Sequence, residues 1–200
     1  MKKYILTLLL MNATFIIFAQ NLSISGNVLT ENGTPICAVI VRLLDENDND
    51  LATSLTDENG DYSFSNLENG KTYSVVVTKN DDVLNGISTF DVVLLINHIL
   101  GRETLESPLK IYSLDVNNSS SLSVIDAILL RRVILGLDER LPTSNWRFLP
   151  ADIQIGENNP WEAGDPHIKV FENLTASVED SNFIGVKTGD ANGTVVISCN

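Results

Sequence analysis

Histidine, cysteine and tryptophan each occur only twice in the 200 residues, and aromatic residues make up 6%. So little histidine removes most routes to acid–base chemistry near neutral pH. His98 lies in an apolar helical run and His167 follows Asp165-Pro166 in a loop. Neither belongs to a Ser–His–Asp order or an H-E-x-x-H, and no G-x-S-x-G occurs. No pair of acids sits on a recognisable sugar cleft, so glycoside hydrolysis has no visible machinery. The chain therefore reads as no enzyme. Cys37 and Cys199 lack the C-x-x-C spacing of a redox or metal site. Cys37 shares a strand face with Val39 and Val41 and reads as a small buried hydrophobe; its pairing with Cys199 stays open. Basic residues are also scarce, 13 against 26 acidic, for a formal charge of −13. That balance opposes nucleic acid as a partner and suits a soluble outer surface or a calcium-rich setting.

Residues 1–19 read as a signal peptide. Lys2-Lys3 precede a mostly apolar run from Tyr4 to Phe18, and Ala19 stands before Gln20. The run is interrupted by Asn12 and Thr14 and is too short to span a membrane well. No cysteine follows the cut, so no lipid anchor is expected. Removal of the peptide leaves a charge of −15. The expected location is secreted, extracellular or cell-surface associated.

Residues 20–79 read as all β. Ser23 to Val28 alternates with period two, and Asn32-Gly33 and Asn59-Gly60 mark turns. The stretch Ile36 to Leu43 has strand character. Tyr62, Phe64, Tyr73, Val75 and Val77 share an inward period. The run Thr56-Asp57-x-x-Gly60-x-Tyr62-x-Phe64, continued by Leu67, Gly70 and Tyr73, resembles the carboxypeptidase-regulatory-like and collagen-adhesin B-type sandwiches of secreted bacterial proteins. The resemblance implies an Ig-like or prealbumin-like β-sandwich. Some such sandwiches bind carbohydrate through exposed aromatics, the alternative function here, but these aromatics fit the core period. The internal Lys–Asn crosslink of adhesin versions is not expected, because the first strands hold no lysine.

Residues 80–141 contain an internal repeat. Ile87 to Gly101 aligns with Leu122 to Gly136 at a constant offset of 35, with Ser, Asp, Leu-Leu and Ile-Leu-Gly recurring. Each copy predicts a polar loop, an apolar helix and a glycine stop. Before the second helix, Asp115, Asn117, Ser119, Ser121 through its carbonyl, Ser123 and Asp126 fall at positions 1, 3, 5, 7, 9 and 12 of an EF-hand-type calcium loop. The first loop keeps a weaker set, Asn80, Asp82 and Asp91, with Leu84 at position 5. Loop order and the following Leu-Leu-Arg-Arg-Val-Ile-Leu-Gly resemble a type I dockerin repeat. The resemblance implies calcium as cofactor and a cohesin-type protein partner, in assemblies that include polysaccharide-degrading ones. It places the recognition surface at Val124, Ile125, Arg131 and Arg132, and in the first repeat at Thr89, Phe90, Ile96 and Asn97. Position 6 usually holds glycine and here holds Ser120.

Lys79 alone joins the last strand to the first loop. The sandwich is therefore expected to pack on the helical pair as one unit, with Leu84 buried between them. Residues 142–200 read as an irregular, β-containing C-terminal extension. In it, Trp146, Phe148 and Trp161 look like packing anchors. Gly189-Asp190-Ala191-Asn192-Gly193 resembles the start of a calcium loop, but the pattern does not continue, so a turn is expected. The whole predicts a multi-domain β + α chain: a sandwich, a dockerin-like pair of loop–helix repeats, and the extension.

Overall fold

A computed structural model describes residues 21–156, 159–163 and 167–199. The signal peptide lies outside the described residues. Among the described residues eight strands and three α-helices follow one another: β1 (Leu22–Thr30), β2 (Ile40–Leu44), β3 (Asp50–Leu55), β4 (Asp61–Leu67), β5 (Lys71–Thr78), α1 (Thr89–Ile99), α2 (Pro108–Leu114), α3 (Val124–Ile134), β6 (Trp146–Pro150), β7 (Ile168–Leu174) and β8 (Phe183–Lys187). The strands form two four-stranded sheets, ordered β4-β1-β8-β6 and β3-β2-β5-β7.

The period-two pattern puts its apolar side between the sheets. Val41 and Leu43 on β2, Tyr62 and Phe64 on β4, and Tyr73, Val75 and Val77 on β5 are all buried. Those three aromatics belong to the core, so their positions form no sugar platform. The run from Ile36 becomes strand only at Ile40. Ala38 takes φ +53, and Thr56 Oγ1 donates to Ile36 O at 2.7 Å while accepting from Val39 N at 2.9 Å. This local bonding replaces a ladder over Ile36–Val39. Cys37 is buried, as its pattern implied, and it pairs with Cys199 across 162 residues of chain.

The segment beyond residue 142 is not an irregular extension. It supplies β6 and β8 to one sheet and β7 to the other. β8 lies between β1, to which it runs parallel, and β6, to which it runs antiparallel. Trp146, Phe148 and Phe183 fill the same core as Tyr62 and Phe64. The helices are thus an insertion between β5 and β6, and the sandwich is closed by chain that comes after them.

The helices have their own core of Ile87, Leu95, Leu114, Val116, Ala127, Leu130, Val133 and Leu141, with Ala191 from the C-terminal segment. The repeat is visible in the caps. Ser88 and Ser123 are N-caps, each in a capping box with Asp91 or Asp126 three residues on. Gly101 (φ +64) and Gly136 (φ +66) end the helices with matching bonds, Arg102 N to Asn97 O and Leu137 N to Arg132 O, both 2.9 Å.

Sandwich and helices meet in a third cluster of Leu109, Tyr112, Leu149 and Val186. Buried Arg147 of β6 lies over the Tyr112 ring at 4.2 Å and donates to Tyr112 O at 2.9 Å and to Asn118 Oδ1. Lys187 Nζ of β8 is 2.8 Å from Asp81 Oδ1, while Trp146 Nε1 donates to Asp81 Oδ2 at 2.9 Å. Leu84 takes no such place: it is 41% exposed, because polar groups on either side of it hold the junction.

Candidate metal centre and docking face

In the stretch Asp115–Asp126 the backbone wraps around its own acidic side chains. Asp115 Oδ1 accepts from Ser119 N and Oδ2 from Ser120 N, both at 2.8 Å. Asn117 Oδ1 accepts from Ser119 N at 3.1 Å, and Ser119 Oγ donates to Ser121 O at 3.2 Å. Ser123 N and Oγ both donate to Asp126 Oδ2, at 2.9 and 3.0 Å. Ser120, standing where glycine is usual, takes φ +58, at a cost of about 1–2 kcal/mol.

Asp115 and Asp126 are both fully buried, and Asp126 Oδ1 has no hydrogen-bond partner among the described residues. A buried carboxylate oxygen left without a donor is expensive unless a cation satisfies it. The donors around it are all hard oxygens, the chemistry that calcium takes. No cluster of three His, Cys, Asp or Glu side chains suited to a metal occurs among the described residues. An ion here would rest on two carboxylates plus neutral oxygens.

The first loop differs from its expected register. Asn80 Oδ1 accepts from Asn145 Nδ2 at 3.0 Å, and Asp82 Oδ1 accepts from Leu84 N at 3.0 Å. Neither bonds with Asp91. Asp91 Oδ1 instead accepts from Ala191 N at 2.9 Å and Asn192 N at 3.3 Å. The Asn80 side chain and the Asp82 carbonyl are spent on the junction with the sandwich, while the Asp82 carboxylate shapes its own turn, because the chain enters this loop directly from β5. The nearby Asp190 carboxyl is pushed above the usual carboxylate range, chiefly by burial and further by the charge of Asp91.

The expected recognition residues lie on one accessible side. Val124 and Ile125 are 55% and 58% exposed, and Arg131 and Arg132 are exposed as well. Arg132 pairs with Asp138 at 2.6 and 2.7 Å. Sequence reasoning missed Ile128 and Leu135, also exposed, which extend this face along α3. Their counterparts at the offset of 35, Val93 and Leu100, are exposed on α1 together with Thr89 and Phe90. Ile96 and Asn97 are only partly exposed. His98 serves structure: its Nδ1 accepts from Leu105 N at 3.3 Å.

Residues 26–90 match the SdrD B-like domain family. The SdrD B-like stretch holds most of β1 and all of β2–β5, and it runs on through the first loop to the start of α1. The collagen-adhesin B-type resemblance of the sandwich is thereby supported, while β6–β8 lie outside the match. Among solved structures the chain is similar to BcpA, the major pilin subunit of Bacillus cereus, at 24% identity and a TM-score of 0.28. That likeness covers 30% of this chain and 19% of the pilin, about a fifth of the pilin's length. No curated protein sequence matches the chain. No helix among the described residues is long and apolar enough to cross a membrane.

Proposed function

We propose that this is a secreted, non-catalytic adhesion or assembly module in which an SdrD B-like sandwich presents a calcium-dependent, dockerin-like helical pair to a cohesin-type protein partner, with polysaccharide degradation as one setting. The observation that carries this reading is the doubled apolar face: Ile125 and Ile128 on α3 with its C-cap Leu135 recur as Phe90 and Val93 on α1 with its C-cap Leu100, and all six are exposed. A capping-box helix spends its apolar residues on the core unless another surface is to receive them. Val124 and Ile125 beside Arg131 give apolar anchors next to a guanidinium, the composition of a binding hot spot.

Ile125→Ala with Arg131→Ala should weaken binding to a captured cohesin-type domain by about 2 kcal/mol, roughly thirtyfold. Both side chains are exposed, so the circular dichroism spectrum should stay as in the wild type. Unchanged affinity, read by calorimetry, would refute the face.

Calcium is the second element of the proposal. Asp115, Asn117, Ser119, Ser121, Ser123 and Asp126 would hold one ion and fix the start of α3, from which Val124 and Ile125 project. With two carboxylates the site is a weak one of the extracellular kind, about 10⁻⁴–10⁻³ M. Asp115→Ala and Asp126→Ala should each reduce the rise in melting temperature that calcium produces. An undiminished rise in the double variant would show that this loop is not the site.

A further inference from the structure

The sheet β3-β2-β5-β7 ends on β3, and among the described residues no strand pairs with the far side of β3. In an antiparallel ladder alternate residues turn both backbone groups toward the neighbouring strand. Thr56 N donates to Val39 O at 3.0 Å just past the strand, so Ser54 faces β2, and Thr53 and Leu55 face away. On that side the N–H and C=O groups of Thr53 and Leu55 have no backbone partner among the described residues. The edge is apolar as well as open. Leu51 and Leu55 are 52% and 61% exposed, and Leu55 stands opposite Ile40 of β2, itself 40% exposed.

Sheets ordinarily guard such an edge with lysine, proline or a cover. At the other end of the same sheet, β7 carries Lys169, whose ammonium is 3.1 Å from Asp152. β6, an edge of the second sheet, is buried along its whole length. β3 contains neither lysine nor proline, and five of its six residues are exposed. Its register shift falls between Asp50 and Ala52, and the ladder from Ala52 to Leu55 is regular.

Unpaired backbone groups beside exposed leucines suit an added strand, and the charges around them select its kind. Residues 45–61 hold seven acids and no lysine or arginine. Six of the acids are exposed: Glu46, Asp48 and Asp50 at the start of β3, and Asp57, Glu58 and Asp61 beyond its end. The neighbouring Arg42 of β2 is 3.1 Å from Asp50 and offsets that one charge. A second copy of β3 does not fit here. Laid antiparallel, it would set residues 45–50 against residues 57–61; laid parallel, it would set each turn against its twin. Acid meets acid in both cases.

We propose that the β3 edge takes up an extended segment of another protein as a fifth strand, with alternating apolar residues in its middle and lysine or arginine at both ends. At about 3.4 Å per residue the stretch from Asp50 to Asp57 spans about 24 Å, so the basic ends stand about seven residues apart. This edge shares no residue with the helical docking face, and neither reading depends on the other.

The test uses the intact, disulfide-bonded chain and two capped nine-residue peptides, Val-Thr-Val-Thr-Val with two lysines at each end and the same core with two glutamates at each end. Nuclear magnetic resonance follows amide shifts and hydrogen exchange. The lysine peptide should bind saturably and slow exchange of the Thr53 and Leu55 amides at least tenfold at saturation. The glutamate peptide should bind at least tenfold more weakly. Thr53→Pro removes an outward N–H, a change that an edge strand tolerates, and should weaken the lysine peptide at least tenfold with every charge in place. Glu46→Lys with Glu58→Lys, both on exposed turns, should weaken it as much, and this pair decides should Thr53→Pro not fold. No binding, or equal binding of the two peptides, overturns the proposal. So does binding of the lysine peptide that leaves the Thr53 and Leu55 amides exchanging at their free rates, which is attraction to the acidic turns alone. A wild-type dimer in sedimentation that Thr53→Pro dissolves also overturns it, because a second copy is then the occupant.

Discussion

Replacing Cys37 and Cys199 together by alanine should lower the unfolding free energy by about 2–5 kcal/mol. The bridge joins positions separated by 162 residues, so it encloses nearly all of the described fold. Loop closure over that length removes about 5 kcal/mol of unfolded-chain entropy, an upper figure for the effect. A smaller part comes from packing, since Cys37 is 2% exposed beside Ile36 and Val39 and alanine leaves a gap there. Urea unfolding separates the two contributions. Wild type under a reductant should lose most of what the double variant loses, with a steeper denaturant dependence as the unfolded chain expands. A midpoint that moves by less than the error in both cases would show that the bridge contributes nothing. A bridge of this reach belongs to an oxidising compartment, in keeping with the export expected from residues 1–19.

Lys187→Met should destabilise the chain by about 3 kcal/mol, and Asp81→Leu added to it should recover much of the loss. The Lys187 side chain is 1% exposed, and its ammonium bonds Asp81 Oδ1 at 2.8 Å and Asp82 O at 3.0 Å. Removing one partner leaves the Asp81 carboxylate, 23% exposed, with the Trp146 donor and the more distant charge of Lys79, and a carboxylate that has lost its close partner costs more than the pair contributes. Removing both leaves no buried charge there, with only the bonds to Trp146 Nε1 and Asp82 O lost. A double-mutant cycle in urea measures the coupling. If the single variants simply add, the pair is not what joins sandwich to helices. If the coupling is large, Lys187→Met should also split a single thermal transition into two, because the junction that makes the parts melt together has been loosened.

The sequence shows β1, β2, β4 and β5 through alternation and turns, and the two helices through Ser-x-x-Asp starts and glycine stops, while β3, exposed along most of its length, carries no such alternation. These are local signals, each contained in fewer than a dozen residues. β6 to β8 were hidden for a physical reason. β7 and β8 pair with β5 and β1, 92 to 155 residues earlier in the chain, and β6 pairs with β8 alone. Nothing within Trp146–Pro150 or Phe183–Lys187 names a distant partner. Trp146 and Phe148 could be read as anchors, but not as the inner face of a sheet. The same holds at the first loop. From the sequence Leu84 is expected between the two parts, but the polar groups that hold the junction, Asp81 and Lys187, lie far apart in the chain. Asp190-Ala191-Asn192-Gly193 could be read only as a turn, because Asp91, which accepts from Ala191 N and Asn192 N, comes a hundred residues before.

The Cys37–Cys199 link also decides how the molecule would bear a load. A pull that enters ahead of β1 and leaves beyond Cys199 passes from Cys37 straight to Cys199 through the sulfurs. Everything enclosed, both loops and all three helices included, sits outside the line of force. Only the stretch from Leu22 to Ile36 is strained, and peeling it out lengthens the molecule by about 50 Å, at roughly 3.4 Å per residue. With the link reduced, the same pull could draw out about 600 Å of chain. An extracellular tether built this way would hold its helical face in shape while the strand that carries the tension gives.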